Sequence, residues 1–414
     1  MGKIGKKMIY LVVGNHTSFV GVWEQIEITL RTFKAMQIPI GISSRIKPNE
    51  TNIIIEDFNS YLVAEMFSIK EKNPATKYIL YVTEYLTQTS KNHVTLNCFS
   101  KKAEFVRKLF RWEYKICGDR YNLFLSSERK EKENIIRNFF KPILNQFAEF
   151  SGSSYGNEVM MARREACLDK IRNLFSLCIS TTEAVLNGYS EYCDCPLVYL
   201  PVFVDTERVK ENRNKSKKLP SIFFSGRLTP YRRKEMRRLG QGTLNSYPLE
   251  GGVAWNDPAL LRDTKFKLKR LRGEEQAFGI DNAIRYTQEL EKSQLAGFWN
   301  LTKDIYEYSN EEKTATYEIY IPQASGWPYS SPNRTVLSIE SGFIPLDLGS
   351  FSDHDVNTIS INVENRFDIS DVLALDVERA FSELDDKITS YNELQAVRAE
   401  TAKGAIEIVM SKAG

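Results

Sequence analysis

The sequence predicts an α/β protein of two doubly wound domains, and three observations carry the prediction. The chain has 414 residues, more than one ordinary hydrophobic core sustains and about right for two domains of roughly 200 residues each. Short continuous apolar runs bounded by turn residues alternate with segments of helical period, the pattern of parallel strands covered on both faces. A charged, proline-terminated stretch, Asp205–Pro220, separates two such series and reads as an interdomain linker or exposed loop.

The first series opens with Met8–Val13, an apolar run that stops at Gly14-Asn15-His16-Thr17-Ser18. Val22–Met36 follows with apolar residues near helical spacing. Ile38–Ile42 and Asn52–Ile55 read as strands, Tyr61–Ile69 as a helix, and Tyr78–Thr83 as a strand ending on Glu84. Leu174–Ser180 is a strand running into Thr181-Thr182-Glu183, where a threonine can cap the next helix, and Leu197–Phe203 is the last strand. Strand–helix alternation of this kind indicates βαβ units and a Rossmann-like domain over residues 1–203. After the linker, 204–220, the strands Ser221–Phe224, Ala315–Ile321, Phe343–Leu346 and Thr358–Val363 build a second domain over 221–390. Ile369–Ser411 reads as two closing helices, with the C-terminal segment 391–414 free to pack back on the first domain.

Composition narrows the class. Lys+Arg minus Asp+Glu is 56 − 53, or +3, so global charge lends nucleic-acid binding no support and none is expected. The six cysteines lack framework spacing, which points to reduced thiols in a cytoplasmic protein. No apolar run approaches the length of a membrane span, and the apolar run near the N-terminus is too short for a signal peptide. Neither Gly-x-Gly-x-x-Gly nor Gly-x-x-x-x-Gly-Lys-Ser/Thr occurs, which argues against dinucleotide and P-loop functions.

In a doubly wound sheet, ligands bind beyond the carboxyl ends of the strands. In the first domain that edge carries His16, where an imidazole can take a proton near neutral pH or simply sit on the surface. It also carries the adjacent acids Glu56 and Asp57, which read as a cap for the next helix, and Glu84, a general base or a helix N-terminal residue. Lys101–Tyr114 is a basic amphipathic helix, with Phe105, Val106, Leu109 and Phe110 on one face and Lys101, Lys102, Arg107, Lys108 and Arg111 on the rest. Such a helix either packs on the protein surface or lies on anionic lipid, so peripheral contact with the inner membrane face is open.

The second domain carries two phosphate-friendly loops. Ser221–Phe224 opens into Ser225-Gly226-Arg227-Leu228-Thr229-Pro230-Tyr231-Arg232-Arg233, where glycine admits close backbone approach, threonine caps and arginines supply charge. Ile319–Ile321 leads into a Gly/Pro/Ser-rich loop with Ser330, Ser331, Asn333 and Arg334, followed by a short helix ending at Glu340-Ser341-Gly342. A loop opening a helix offers free N–H groups and a positive dipole end to an anion. Asp353-His354-Asp355 has the spacing of a metal-binding acid pair, a three-residue match common by chance.

Phe223–Arg233, Ser330–Leu346 (SSPNRTVLSIESGFIPL) and Leu197–Asp205 (LVYLPVFVD) together resemble the GT-B class of bacterial glycosyltransferases, two Rossmann-like domains facing across a cleft. The resemblance implies a nucleotide-sugar donor, a glycan or glycolipid hydroxyl as acceptor, and a place in surface glycan or lipopolysaccharide synthesis. It implies that Arg227, Thr229, Arg232, Ser331, Asn333 and Arg334 contact the donor phosphates and that Glu340 holds the nucleotide ribose. His16 or Glu84 would serve as the catalytic base. Retaining members often carry two glutamates eight positions apart; Pro332 stands eight before Glu340, so stereochemistry is not assigned. The class usually works without a divalent metal, so no metal or other cofactor is expected. The alternatives are another nucleotide-sugar enzyme, such as an epimerase, and a non-catalytic two-domain ligand-binding protein.

Overall fold

The computed structural model describes residues 8–13, 23–43, 45–56, 58, 60–90, 93–117, 127–151, 155–190, 192–214, 218–225, 231–232, 234–235, 238, 249–252, 315–322, 331–348, 358–363 and 371–411. Among them the chain divides into two compact units. One holds the described residues up to Tyr199 and those from Lys403 on; the other holds the described residues within Leu200–Leu271 and Ala296–Ala402.

In the first unit, strands β1 (Ile9–Val12), β2 (Ile40–Ser43), β3 (Thr51–Ile55), β4 (Lys77–Tyr81), β7 (Phe175–Ser180) and β8 (Leu197–Tyr199) form one sheet in the order β2-β1-β3-β4-β7-β8. Every pairing is parallel. Helices α1 (Trp23–Ala35) and α2 (Ser60–Lys72) make the first crossovers. Strands β3 and β4 are buried at every residue, as continuous apolar runs demand when both faces are covered. From β1 the chain steps outward to β2 and returns to β3 on the other side. The carboxyl ends of β1 and β3 therefore flank the topological switch point, where doubly wound sheets take ligands.

Between β4 and β7 lies an insertion only partly foreseen from the sequence: an antiparallel hairpin, β5 (Leu86–Ser90) and β6 (His93–Leu96), then helices α3 (Lys101–Cys117), α4 (Ser127–Phe150) and α5 (Tyr155–Ile171). Val106, Phe110, Leu144, Ala148, Tyr155 and Ala162 are the shared core of the three helices.

Helix α3 departs from the expected division of faces. Arg107 and Arg111 point inward, not to solvent, while Phe105 stays exposed. Arg107 Nε donates to Glu158 at 2.6 Å, and its Nη1 donates to Glu165 and to the Leu96 carbonyl, the latter at 3.0 Å. Arg111 donates to Asp169 at 2.6 Å and to the Val94 carbonyl at 2.7 Å. Three carboxylates along α5, Glu158, Glu165 two turns on and Asp169 one turn beyond that, make the inward side of α3 the cheaper place for these guanidinium groups, a pairing that helical periodicity of apolar residues cannot reveal.

In the second unit, β9 (Leu219–Ser225), β10 (Leu249–Gly252), β11 (Ala315–Tyr320), β12 (Ile344–Asp347) and β13 (Ile361–Asn362) form a parallel sheet in the order β10-β9-β11-β12-β13. Here the switch point lies between β9 and β11. The stretch read as a linker carries helix α6, Thr206–Arg213, whose first turn is closed by the Asp205 carboxylate accepting from the Arg208 N–H at 3.2 Å. The closing segment, expected to hold two helices, has a short helical stretch at residues 371–374 and then a 35-residue helix, α7 (Val377–Ser411). It contains no proline, and its single glycine, Gly404, remains helical, so nothing inside it stops the helix. The final carbonyls, from residues of the first unit, are met by Lys77: its Nζ donates to the Val409 carbonyl at 2.7 Å.

Candidate functional site

The second unit places several sequence-predicted residues at its switch point. Helix α8 (Pro332–Glu340) follows β11. Ser331 takes the N-cap position with extended backbone and Pro332 the first turn, where its missing N–H costs nothing. The Ser331 side chain makes no capping bond, which leaves the N–H groups of the first turn without a side-chain acceptor from that residue. Arg232 is 2% exposed, and its Nε donates to the carbonyl of Ile321, immediately after β11, at 2.7 Å. Arg334, in the first turn of α8, sets its guanidinium 5.7 Å from the ring centroid of Tyr320, the last residue of β11. Burial, and then the charge of Arg334, push the Arg232 guanidinium down to about 10, with Tyr320 acting in the opposite sense. Two guanidinium groups from separate segments thus converge on one strand end at a helix N-terminus. Asn333, 2% exposed, keeps its Oδ1 without a hydrogen-bond partner beside them. Such a place is relieved by an anion.

Glu340 sits at the opposite end of α8 and is fully buried. One carboxylate oxygen accepts from the Asp205 N–H at 2.8 Å and the other from Arg208 at 3.2 Å, while its carbonyl accepts from Asn212 at 2.5 Å. The helix then ends in paired bonds, Gly342 N–H to the Ile339 carbonyl and Phe343 N–H to the Ser338 carbonyl. Gly342 has φ +87°, and a Cβ there would stand 3.2 Å from the backbone of Asn212 and Arg213. Glu340 and Gly342 therefore join α8 to α6, and a ribose diol at Glu340 would have to share oxygens already engaged.

The first unit gathers a different set at its own strand ends. Glu56, directly after β3, is fully buried and caps no helix: its carboxylate accepts from the Thr83 and Glu84 N–H groups at 3.0 and 3.1 Å, and from the Tyr189 hydroxyl at 2.6 Å. Burial pushes this carboxyl up to about 7, against the nearby Arg164 charge, with Glu84 adding to the rise. Arg164 of α5 donates to the Glu56 carbonyl and to the Glu84 carboxylate, and Asn97 donates to the other Glu84 oxygen. Glu84 is 19% exposed at the side chain, so it reaches the surface of this cluster with both oxygens engaged. Glu56, Asn97, Arg164 and Tyr189 were missed as a group. The one available signal was an Arg-Arg-Glu run, Arg163–Glu165, inside an otherwise apolar helical stretch, and all three residues are buried.

Of the residues singled out from the sequence, Arg232, Ser331, Asn333 and Arg334 come together, Glu340 lies at the far end of their helix, and Glu84 belongs to the first-unit cluster. His16, Arg227, Thr229 and the Asp353-His354-Asp355 triplet lie outside the described residues.

No protein-family model matches the chain, and no curated protein matches it in sequence. In structure it is similar to an alpha,alpha-trehalose-phosphate synthase (UDP-forming) from Burkholderia vietnamiensis, with a TM-score of 0.37 and 10% identity, covering 95% of this chain and 78% of that one. A similarity of that degree transfers no residue role to this chain.

Proposed function

We propose that the protein is a glycosyltransferase that uses a nucleotide-sugar donor, with the donor diphosphate at the β9/β11 switch point of the second unit. The observation that carries the reading is the convergence of Arg232 and Arg334 on the end of β11 at the N-terminus of α8. Glycosyl transfer breaks the bond between the anomeric carbon and the diphosphate oxygen and forms one to an acceptor oxygen. The departing diphosphate gains charge as it leaves, and fixed positive groups with a helix N-terminus stabilise that charge more in the transition state than in the bound donor. The acceptor hydroxyl loses its proton to a base; His16 and Glu84 are the candidates, Glu84 being held in one orientation by Arg164 and Asn97. The acceptor is a glycan or glycolipid hydroxyl, and neither a metal nor an organic cofactor enters the scheme.

A thermal-shift panel of UDP-, GDP-, dTDP-, ADP- and CMP-sugars with the bare nucleotides tests the reading, since a ligand of the folded state alone raises Tm in proportion to its affinity. One nucleotide series is expected to stabilise the protein and its sugar form to release free nucleotide when a glycan acceptor is present. An epimerase would alter the sugar without releasing nucleotide, and a binding module would do neither.

A further inference from the structure

We propose that the outer face of α3 and α4 is a docking surface for a bilayer carrying anionic phospholipid. Helix α3 exposes Phe105, Trp112 and Ile116, the last two 51% and 44% exposed. Helix α4 exposes Phe139, Ile143, Phe147 and Phe150 at helical spacing, with Phe139 71% and Phe150 64% exposed. The two stripes are continuous: Phe105 meets Phe147 edge-on at 6.2 Å between ring centroids, and Trp112 meets Phe140 at 5.7 Å. A soluble surface helix ordinarily turns such residues inward. Here Val106 and Phe110 fill the core and Arg107 and Arg111 take the neighbouring inward positions in their ion pairs with α5, which leaves Phe105, Trp112 and Ile116 outward.

Charge selects the occupant. Lys101, Lys102, Lys108, Lys115 and Lys141 are exposed on these two helices, and Lys102 lies 4.4 Å over the Phe150 ring. The described carboxylates beside them are Glu104, paired with Lys108 at 2.6 Å, and Glu149, which accepts from Asn145 at 2.6 Å. Among the described side chains of the two helices, five exposed lysines against these two glutamates leave the face positive. A second copy meeting it through a two-fold axis would bring like charges together, and protein interfaces are depleted in lysine. Long lysines around exposed Trp and Phe instead match the boundary between anionic headgroups and acyl chains, with the rings buried and the ammonium groups at phosphate level. No helix among the described residues is long and apolar enough to cross a membrane, so the contact is one that lies on the surface. The inference is independent of the donor reading.

The test is co-sedimentation of the full chain with vesicles of pure phosphatidylcholine and with vesicles containing about 30% phosphatidylglycerol. Binding is expected only to the anionic vesicles and should weaken as salt rises. Phe139→Gln with Phe150→Gln, and separately Lys101→Glu with Lys115→Glu, should each lower the partition coefficient about tenfold or more while leaving the thermal melt unchanged. All four positions are at the surface, so unfolding does not mimic the loss. Equal binding to both vesicle types, variants that bind like the wild type, or no binding at all would overturn the proposal. So would a dimer in light scattering that the aromatic variant dissolves, since that outcome assigns the face to a second copy.

Discussion

Replacing Glu56 by Gln probes the buried carboxyl at the first switch point, and its effect follows from the geometry. Glutamine keeps the shape of the site: its oxygen can take the Thr83 and Glu84 N–H groups, and its NH2 can donate to the Tyr189 oxygen while that hydroxyl turns to the Glu84 carbonyl, 3.3 Å away. What changes is ionisation. The carboxyl ionises near 4.5 in an unfolded chain and about 7 here, because burial opposes the charge. Between those values the folded protein holds a proton that the unfolded chain has lost. The stability tied to Glu56 is therefore full below about 4.5 and is lost as pH rises through 7. At about 1.4 kcal/mol per pH unit, that interval corresponds to about 3 kcal/mol. Urea unfolding at a series of pH values from acidic to mildly alkaline reads it directly. The variant should gain about 3 kcal/mol relative to the wild type across the series, with the gain concentrated between 4.5 and 7. A difference between the two proteins that does not move with pH would refute the assignment of a proton to Glu56.

Three further outcomes follow from buried or constrained residues. Arg107→Ala takes the guanidinium from Glu158 and leaves Glu165 to Arg111, 3.6 Å away, and should cost about 3–5 kcal/mol, read by calorimetry. Gly342→Ala places a Cβ in left-handed backbone against α6 and should cost about 1–3 kcal/mol; a variant melting at the wild-type temperature would contradict the φ of +87°. Arg334→Ala should weaken anion binding with little change in stability, because Arg334 is half-buried at the helix start, whereas Arg232→Ala also empties a buried site and takes the donor from the Ile321 carbonyl.

The strands were legible where their chemistry is local. β1, β3, β4 and β7 are continuous apolar runs, and burial from both sides is the only place such runs are stable. Hairpin β5–β6 was not, because Thr87, Gln88, Thr89, Ser90 and Thr95 dilute the pattern and its apolar members, Leu86, Val94 and Leu96, are too few to show a period. Long-range charge pairing was invisible for the same reason. Nothing near Arg107 in sequence announces Glu158 and Glu165, so Arg107 and Arg111 were placed on the solvent side, although Val106, Leu109 and Phe110 do face the core as read. At the second switch point, Arg232 and Arg334 were each read from a local loop signal; their meeting on Ile321 and Tyr320 depends on β9 and β11 being neighbours, which only topology supplies. Glu56 was seen and assigned to a helix cap, because a carboxylate after a strand fits that use as well as it fits the backbone of a neighbouring loop.

The central claim is that the Arg232/Arg334 site holds the diphosphate of a nucleotide-sugar. Titration calorimetry of the full chain with UDP, GDP, dTDP and ADP, repeated on Arg232→Ala and Arg334→Ala, tests it most directly. One nucleoside diphosphate should bind the wild type, and each variant should bind it about 10- to 100-fold more weakly, the worth of one charge-assisted contact to phosphate. Wild-type affinity in both arginine variants, or no affinity of the wild type for any of the nucleotides, would contradict it.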